Sequence, residues 1–207
     1  RVRVLAVCAV AGNVGLGETY RNAAALLDAA GLREEVPLFP GASGPLIESY
    51  GAAEASFWHG KDGFADIDAS KDAQVPSLKG RSNEAAAEIL SLVRANPGQV
   101  TLIALGPLTN VATALLMDKG IAKLVKKFVF MGASLGGKGN ITPTAEFNAY
   151  ADPESLHIAL RSFETSWMCG WQCTLDHPLP FSFVETWLAA AKSSSSRMGN
   201  LISMLTG

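Results

Sequence analysis

Charge of one sign is scarce in this 207-residue sequence: 17 lysines and arginines face 19 aspartates and glutamates, for a formal net charge of -2, and neither sign gathers into a run. An electrostatic footprint for nucleic acid is therefore missing, and a small neutral ligand fits better. Long apolar runs are missing too. No stretch approaches the ~20 residues that span a bilayer, and the opening Arg1-Val2-Arg3-Val4 lacks the layout of a secretory leader, so a cytoplasmic protein is the expectation. Cysteine is sparse and odd in number. Cys8, Cys169 and Cys173 do not suggest a disulfide framework, and Cys169-x-x-x-Cys173 without a second Cys/His pair makes a poor zinc site. Their apolar settings predict buried free thiols.

What is present is apolar: 48% of the residues are hydrophobic, enough for a sizeable core in one domain, with no internal boundary visible between residues 1 and 207. Val2 to Ala11 is a near-continuous apolar run closing at Gly12-Asn13, as expected of a strand covered on both faces. Glu18 to Ala30 keeps helical spacing and stops at Gly31. The alternation then recurs: strand Val36 to Phe39, helix Ser82 to Ala95, strand Val100 to Leu105, helix Pro107 to Met117 and strand Phe128 to Met131. Asp152-Pro153 reads as the cap and first turn of a helix running to about Arg161. Gly41 to Arg81 has no sustained period and reads as long loops with short helical pieces, whereas Phe181 to Lys192 and Arg197 to Leu205 are amphipathic, separated by the break at Ser193 to Ser196. This order means an α/β fold with an open, mostly parallel sheet flanked by helices. Ligands in such sheets sit beyond the carboxyl ends of the strands, which singles out Gly12 to Gly17, Gly106 to Asn110, Gly132 to Asn148 and Gly170 to His177.

Two glycine-rich stretches imitate nucleotide motifs. Gly132 to Gly139 has the phosphate-loop spacing but puts Gly139 where a magnesium-binding hydroxyl is needed, and Ile141-Thr142-Pro143-Thr144 follows instead of a helix. Gly15-x-Gly17-x-x-Tyr20 carries a tyrosine at a position that close helix–strand packing keeps bare. The segment from Gly139 to Pro153 is more informative. Asn140, Glu146 and Asn148 lie between a buried strand and a helix, and carboxamides with a carboxylate offer both donors and acceptors, which suits sugar hydroxyls. Asp152 is read simply as a helix cap, and His157 and His177 as structural.

The strings Ala11-Gly12-Asn13, His59-Gly60-Lys61-Asp62-Gly63, Gly106-Pro107-Leu108-Thr109-Asn110, Met131-Gly132 and Gly139-Asn140 through Asp152-Pro153 resemble the nucleoside hydrolase (inosine–uridine preferring ribohydrolase) family, in its order and with similar intervals, over Val2 to about Thr174. The resemblance implies a Rossmann-like fold and hydrolysis of the N-glycosidic bond of ribonucleosides, a step of nucleoside catabolism and purine salvage. It also implies Ca2+ at the base of the pocket, binding the ribose 2′- and 3′-hydroxyls and the attacking water, with the Thr109 carbonyl as one ligand. Asn13, Asn140, Glu146 and Asn148 match ribose-holding positions, Met131 a residue lining the sugar face, and His59 a histidine near the nucleobase, able to stack on the base or protonate it as it leaves. A homodimer or homotetramer is the family's common assembly.

The sequence departs from the family at both ends. The family's aspartate cluster, which supplies two calcium ligands and the general base, is expected upstream of Arg1, and its His-Asp element beyond Gly207; Asp176-His177 has the reverse order and comes too early. Residues 1–207 are thus expected to be one incomplete domain, inactive by itself and a poor calcium binder. The competing reading is a catalytically dead nucleoside- or sugar-binding module.

Overall fold

The computed structural model describes residues 2–47, 55–67, 75–79, 81, 83–193 and 196–205. Ser82, Ser194, Ser195 and much of the 41–81 stretch, for which a helix start, a low-complexity break and loops are expected, lie outside the described residues.

The order of elements is the expected alternation. Strand β1 (Val7–Cys8) leads into α1 (Leu16–Ala29), then β2 (Leu38–Phe39), the short α2 (Ser56–His59) and α3 (Glu84–Ala95). Strand β3 (Thr101–Ala104) is followed by α4 (Thr109–Met117), and β4 (Lys127–Met131) by α5 (Phe147–Ala151) and α6 (Pro153–Ser162). The chain closes with β5 (Ser166–Cys169), α7 (Trp171–Asp176), α8 (Phe181–Ser193) and α9 (Arg197–Leu205). Among the described residues all pairings are parallel, in two sheets: β1 with β2, and β3-β4-β5 with β4 central, Phe128 opposite Leu102 on one side and Ser166 on the other. Among the described residues no helix is long and apolar enough to cross a membrane.

Local rules explain most boundaries. Helix α1 buries Tyr20, Ala24 and Leu27 on one stripe, and Gly31, at a φ of 69°, reverses the chain while Leu32 N–H donates back to the Leu27 carbonyl. The Asp152 side chain accepts from Ser155 N–H at 3.0 Å and Pro153 fills the first turn of α6, where its missing N–H costs no bond. Strand β4 alternates. Phe128 and Phe130 point into the main core, where Phe128 stacks on Phe163 with centroids 4.3 Å apart, against apolar faces of α3, α4 and α6. A second core gathers Ala9, Tyr20, Ala24, Leu27, Val36 and Leu38 between α1 and the small sheet.

Three expectations need correction. The run from Val2 to Ala11 pairs only at Val7–Cys8, and Val2 is 92% and Val4 48% exposed. Apolar content reports what a strand would bury, but a strand exists only where a neighbour satisfies its backbone, and among the described residues β1 meets β2 alone. The three-stranded sheet is likewise covered on one face only. Ile103 and Trp167 stand 60% and 57% exposed on the other, where Lys127 Nζ sits 3.6 Å from the centroid of the Trp167 ring. The thiols also differ from expectation: Cys8 is half-buried, and Cys169 and Cys173 are exposed, because the odd residues of β5 lie on the open face and α7 buries no residue.

Truncating the ring at the centre of this core should be costly. Phe128→Ala is expected to lower unfolding free energy by about 3–5 kcal/mol, measured by urea denaturation, whereas Lys127→Ala on the open face should cost less than about 1 kcal/mol.

Candidate functional site

The segments singled out from the sequence do gather at the carboxyl ends of the strands. Loops following β1 and β3 touch: a Cβ added at Gly12 would lie 3.1 Å from Pro107 Cδ, and one at Gly106 would lie 3.3 Å from Val10 Cγ1. Between them is a small hollow lined by Ala11, Gly12, Ser43, Pro45, Thr109 and Ala151, among others. Its wall is tied together by polar side chains. Thr109 Oγ1 donates to Asp152 Oδ2 at 2.6 Å, and Leu46 N–H donates to the same oxygen at 3.1 Å, so a fully buried carboxylate joins the start of α4, the loop after β2 and the start of α6. Asn110 makes a matching joint. Its Nδ2 donates to Ala9 O and its Oδ1 accepts from Ala42 N–H at 2.8 Å, which crowds Gly41 so closely that an added Cβ would fall 2.2 Å from that Oδ1.

Sequence reasoning missed both joints. Asp152 is a cap, as expected, but also a hub, and Asn110 stands in the Gly106–Asn110 string without a role assigned. A carboxamide one residue into α4 is the trace that Asn110 leaves in the sequence, and the cap position before Pro153 is the trace that Asp152 leaves.

Met131, Asn140, Glu146 and Asn148 form a second group beside the end of β4. Glu146 is 2% exposed, and its Oε2 accepts from three backbone donors: Ala133 N–H at 2.8 Å, Asn148 N–H at 3.0 Å and Ala149 N–H at 3.2 Å. Its described hydrogen bonds all fall on that oxygen, so Oε1 remains for another donor. Ala133 pays for this with a φ of 64°, a left-handed backbone that alanine rarely adopts, held by Glu146 on its N–H and by Trp171 N–H on its carbonyl. Asn148 Nδ2 faces Met131 O at 3.2 Å and Met131 Sδ at 3.1 Å; a carbonyl only accepts, so the amide orientation is set and Oδ1 is turned away from it. Asn140 is oriented the other way. Its Oδ1 accepts from Phe147 N–H at 2.8 Å, which leaves Nδ2 as the unengaged end. The group thus offers one donor and two acceptors, a set that hydroxyl groups, both donating and accepting, can satisfy.

Asn13 is exposed on the loop after β1, where its carbonyl accepts from Ala55 N–H at 2.8 Å. His59, at the end of α2, is also exposed. Among the described residues it is anchored through its backbone, to Ala55 O and from Ala65 N–H, in a turn that Asp62 and Asp66 brace. Thr109 is in the wall of the hollow, whereas neither His59 nor Asn13 is among its lining residues. The imitation phosphate loop is a closed turn: Gln172 Nε2 donates to Ser134 Oγ, Gln172 Oε1 accepts from Leu135 N–H, and Ser134 Oγ donates to Lys138 O, so its polar groups are engaged with protein.

A calcium shell takes six to eight hard oxygens. Among the described residues no group of three His, Cys, Asp or Glu side chains could hold a metal ion, and the Thr109 carbonyl already accepts from Thr113 Oγ1 at 2.8 Å. One neutral carbonyl does not offset dehydration of a divalent ion, so these residues by themselves do not fit the metal.

The sequence model described as inosine-uridine preferring nucleoside hydrolase matches residues 1–206. The chain is 38% identical over 162 residues to uridine nucleosidase 1 of Arabidopsis thaliana, covering 78% of this chain and 46% of that protein. It is also 38% identical over 169 residues to the non-specific ribonucleoside hydrolase RihC of Shigella flexneri, covering 80% of this chain and 51% of that one. It spans about half the length of these curated relatives. Among solved structures, a plant nucleoside hydrolase, the PpNRh1 enzyme, superposes with a TM-score of 0.82 at 28% identity over 99% of this chain and 61% of its own. An inosine-guanosine nucleoside hydrolase gives 0.80 at 29% identity, over 99% and 64%.

The buried joints are expected to be structural necessities of the hollow. Asp152→Ala strands Leu46 N–H, Ser155 N–H and the Thr109 hydroxyl and should cost about 2–4 kcal/mol in thermal or urea unfolding. Thr109→Val removes one donor, keeps the backbone carbonyl and should cost about half as much or less.

Proposed function

The chain belongs to the inosine-uridine preferring nucleoside hydrolase family, and on that premise we propose that it carries the ribose-binding part of an enzyme that hydrolyses the N-glycosidic bond of ribonucleosides. The observation that carries the reading is the paired engagement of Glu146 and Asn148: each spends one polar atom on the protein and keeps an acceptor oxygen free. Cleavage of that bond builds positive charge on the sugar. Acceptor oxygens already held in place need no reorganisation as that charge appears, so they favour the transition state over the ground state. Asn140 Nδ2 adds a donor for a sugar oxygen, Met131 lies beside Asn148 against the sugar face, and Asn13 approaches from the loop after β1. His59 is assigned to the nucleobase side, where an imidazole can stack on the base or protonate it on departure. The substrate is a small-molecule ribonucleoside. Relatives named for uridine, for inosine and guanosine, and for ribonucleosides non-specifically support that class without fixing a base.

Calcium dependence belongs to the same proposal, with the Thr109 carbonyl as one ligand. Calcium would hold the diol and a water for attack, and every other ligand has to come from outside the described residues. The engagement of the Thr109 carbonyl by Thr113 Oγ1 favours a second reading, a sugar-binding module without turnover.

Joining this chain to the aspartate-bearing and His-Asp segments of a full-length relative separates the two. Ribose release from inosine or uridine, followed as reducing sugar and abolished by EDTA, is the expected outcome; a folded product that binds nucleoside yet releases no ribose above background favours the binding module. In the active protein Glu146→Gln keeps an oxygen for the backbone donors but presents an amide to the substrate, and should lower kcat/KM by about 10²- to 10³-fold with little loss of stability. The chain by itself, titrated with calcium chloride in a calorimeter, should show no binding tighter than about 1 mM.

A further inference from the structure

We propose that Gln172 is a positioning residue: it fastens the loop after β4 so that Ala133 N–H holds the Glu146 carboxylate facing the sugar. The inference rests on the reading of Glu146 given above and adds to it a residue that acts through the protein rather than on the substrate. Burial does not hold this loop, because Leu135 to Lys138 are all exposed. Backbone preference does not hold it either. Ala133, Gly136 and Gly137 stand at φ of 64°, 72° and 66°, in the left-handed region that glycine enters freely and alanine does not. Hydrogen bonds from outside the loop have to fix it, and they come from the junction of β5 and α7.

Gln172, the second residue of α7, uses both ends of its amide on the loop. Its Oε1 accepts from Leu135 N–H at 2.8 Å, and its Nε2 donates to Ser134 Oγ at 3.0 Å and to Lys138 O at 3.3 Å. A backbone N–H only donates and a carbonyl only accepts, so this amide orientation is set. Two backbone bonds flank it: Gly132 N–H donates to Cys169 O at 3.2 Å, and Trp171 N–H to Ala133 O at 3.0 Å. The side chain thus ties the start of the loop to its end, and both to α7.

Glu146 is the group that this grip serves. Of the three donors on its Oε2, Asn148 N–H and Ala149 N–H belong to the first turn of α5, which Glu146 itself caps, so they leave the carboxylate free to pivot with that helix end. Ala133 N–H reaches it from the end of β4 instead, and at 2.8 Å is the shortest of the three. Without the Gln172 amide, Leu135 N–H and Ser134 Oγ each lose a partner, and Ala133 can relax toward negative φ, taking its N–H off Glu146. The far end of the loop is tied to the sugar side as well: Lys138 stands two residues before Asn140, whose Oδ1 accepts from Phe147 N–H.

The first test needs no turnover and is read by NMR on the isotope-labelled whole chain. Gln172→Met should shift the Ala133 amide resonance, which reports its bond to the carboxylate, and speed hydrogen exchange over residues 132–138; Glu146→Gln should shift the same resonance. Gln172→Glu keeps an acceptor for Leu135 N–H and should have a smaller effect, and Cys173→Ser, one residue along α7, should have none. An Ala133 resonance that Gln172→Met leaves in place, or that Cys173→Ser moves as far, would overturn the positioning role. In the joined protein that releases ribose, Gln172→Met should lower kcat about 10-fold with KM within about 2-fold, and should add less than about 2-fold on top of Glu146→Gln. Fully independent effects of the two substitutions would overturn the route through Glu146. If the joined protein releases no ribose, the reading of the site fails, while the amide comparison still decides whether Gln172 sets Glu146.

Discussion

A carboxylate taken out of water has to find donors, and Asp152, fully buried, finds three: the Thr109 hydroxyl, Leu46 N–H and Ser155 N–H. Those donors come from three segments that are distant in sequence. The bonds therefore do more than cap α6; they set where the entry to α4 stands relative to the loop after β2, and hence the shape of the hollow between them. Asn110 repeats the device one residue along, spanning from the end of β1 to Ala42. Much of the hollow's shape follows from these two side chains, both of which bond to protein through each of their polar atoms.

The second group obeys a related logic. Glu146, Asn148 and Asn140 each use one end of a two-ended polar side chain to bind the protein and keep the other end available. A side chain fastened in this way loses little further rotamer freedom when a ligand arrives, which is the physical meaning of preorganisation. The left-handed Ala133 shows that the arrangement carries a backbone cost, borne because Glu146 and Trp171 bond both sides of its peptide.

Strands β3 and β4, the cap at Asp152-Pro153 and the end of α1 at Gly31 were legible because short-range chemistry decides them: apolar runs, a proline in the first turn, a glycine at positive φ. The resemblance of the motif strings likewise pointed to the family that the matching sequence model identifies. What could not be read depends on partners far along the chain. Val2 to Ala6 has the composition of a buried strand and no ladder neighbour among the described residues, and the exposure of Cys169 and Cys173 follows from an uncovered sheet face that composition does not reveal. Asn110 and the backbone of Ala133 belong to the same class, since each is explained by residues more than ten positions away.

The parallel strands fall into two separate ladders, β1-β2 and β3-β4-β5, with no backbone pairing between them among the described residues. Side-chain bonds around the hollow, made by Asn110 and Asp152, cross from one to the other, beside the backbone bonds from Asn83 and Ala85 N–H to the Gly41 and Pro40 carbonyls. The hollow is thus a mortise joint and, on the proposed reading, a receptacle as well. A molecule seated there and touching both sides adds a brace across the seam, so occupancy and resistance to unfolding rise together by mass action, and a shift in melting temperature becomes a direct gauge of binding.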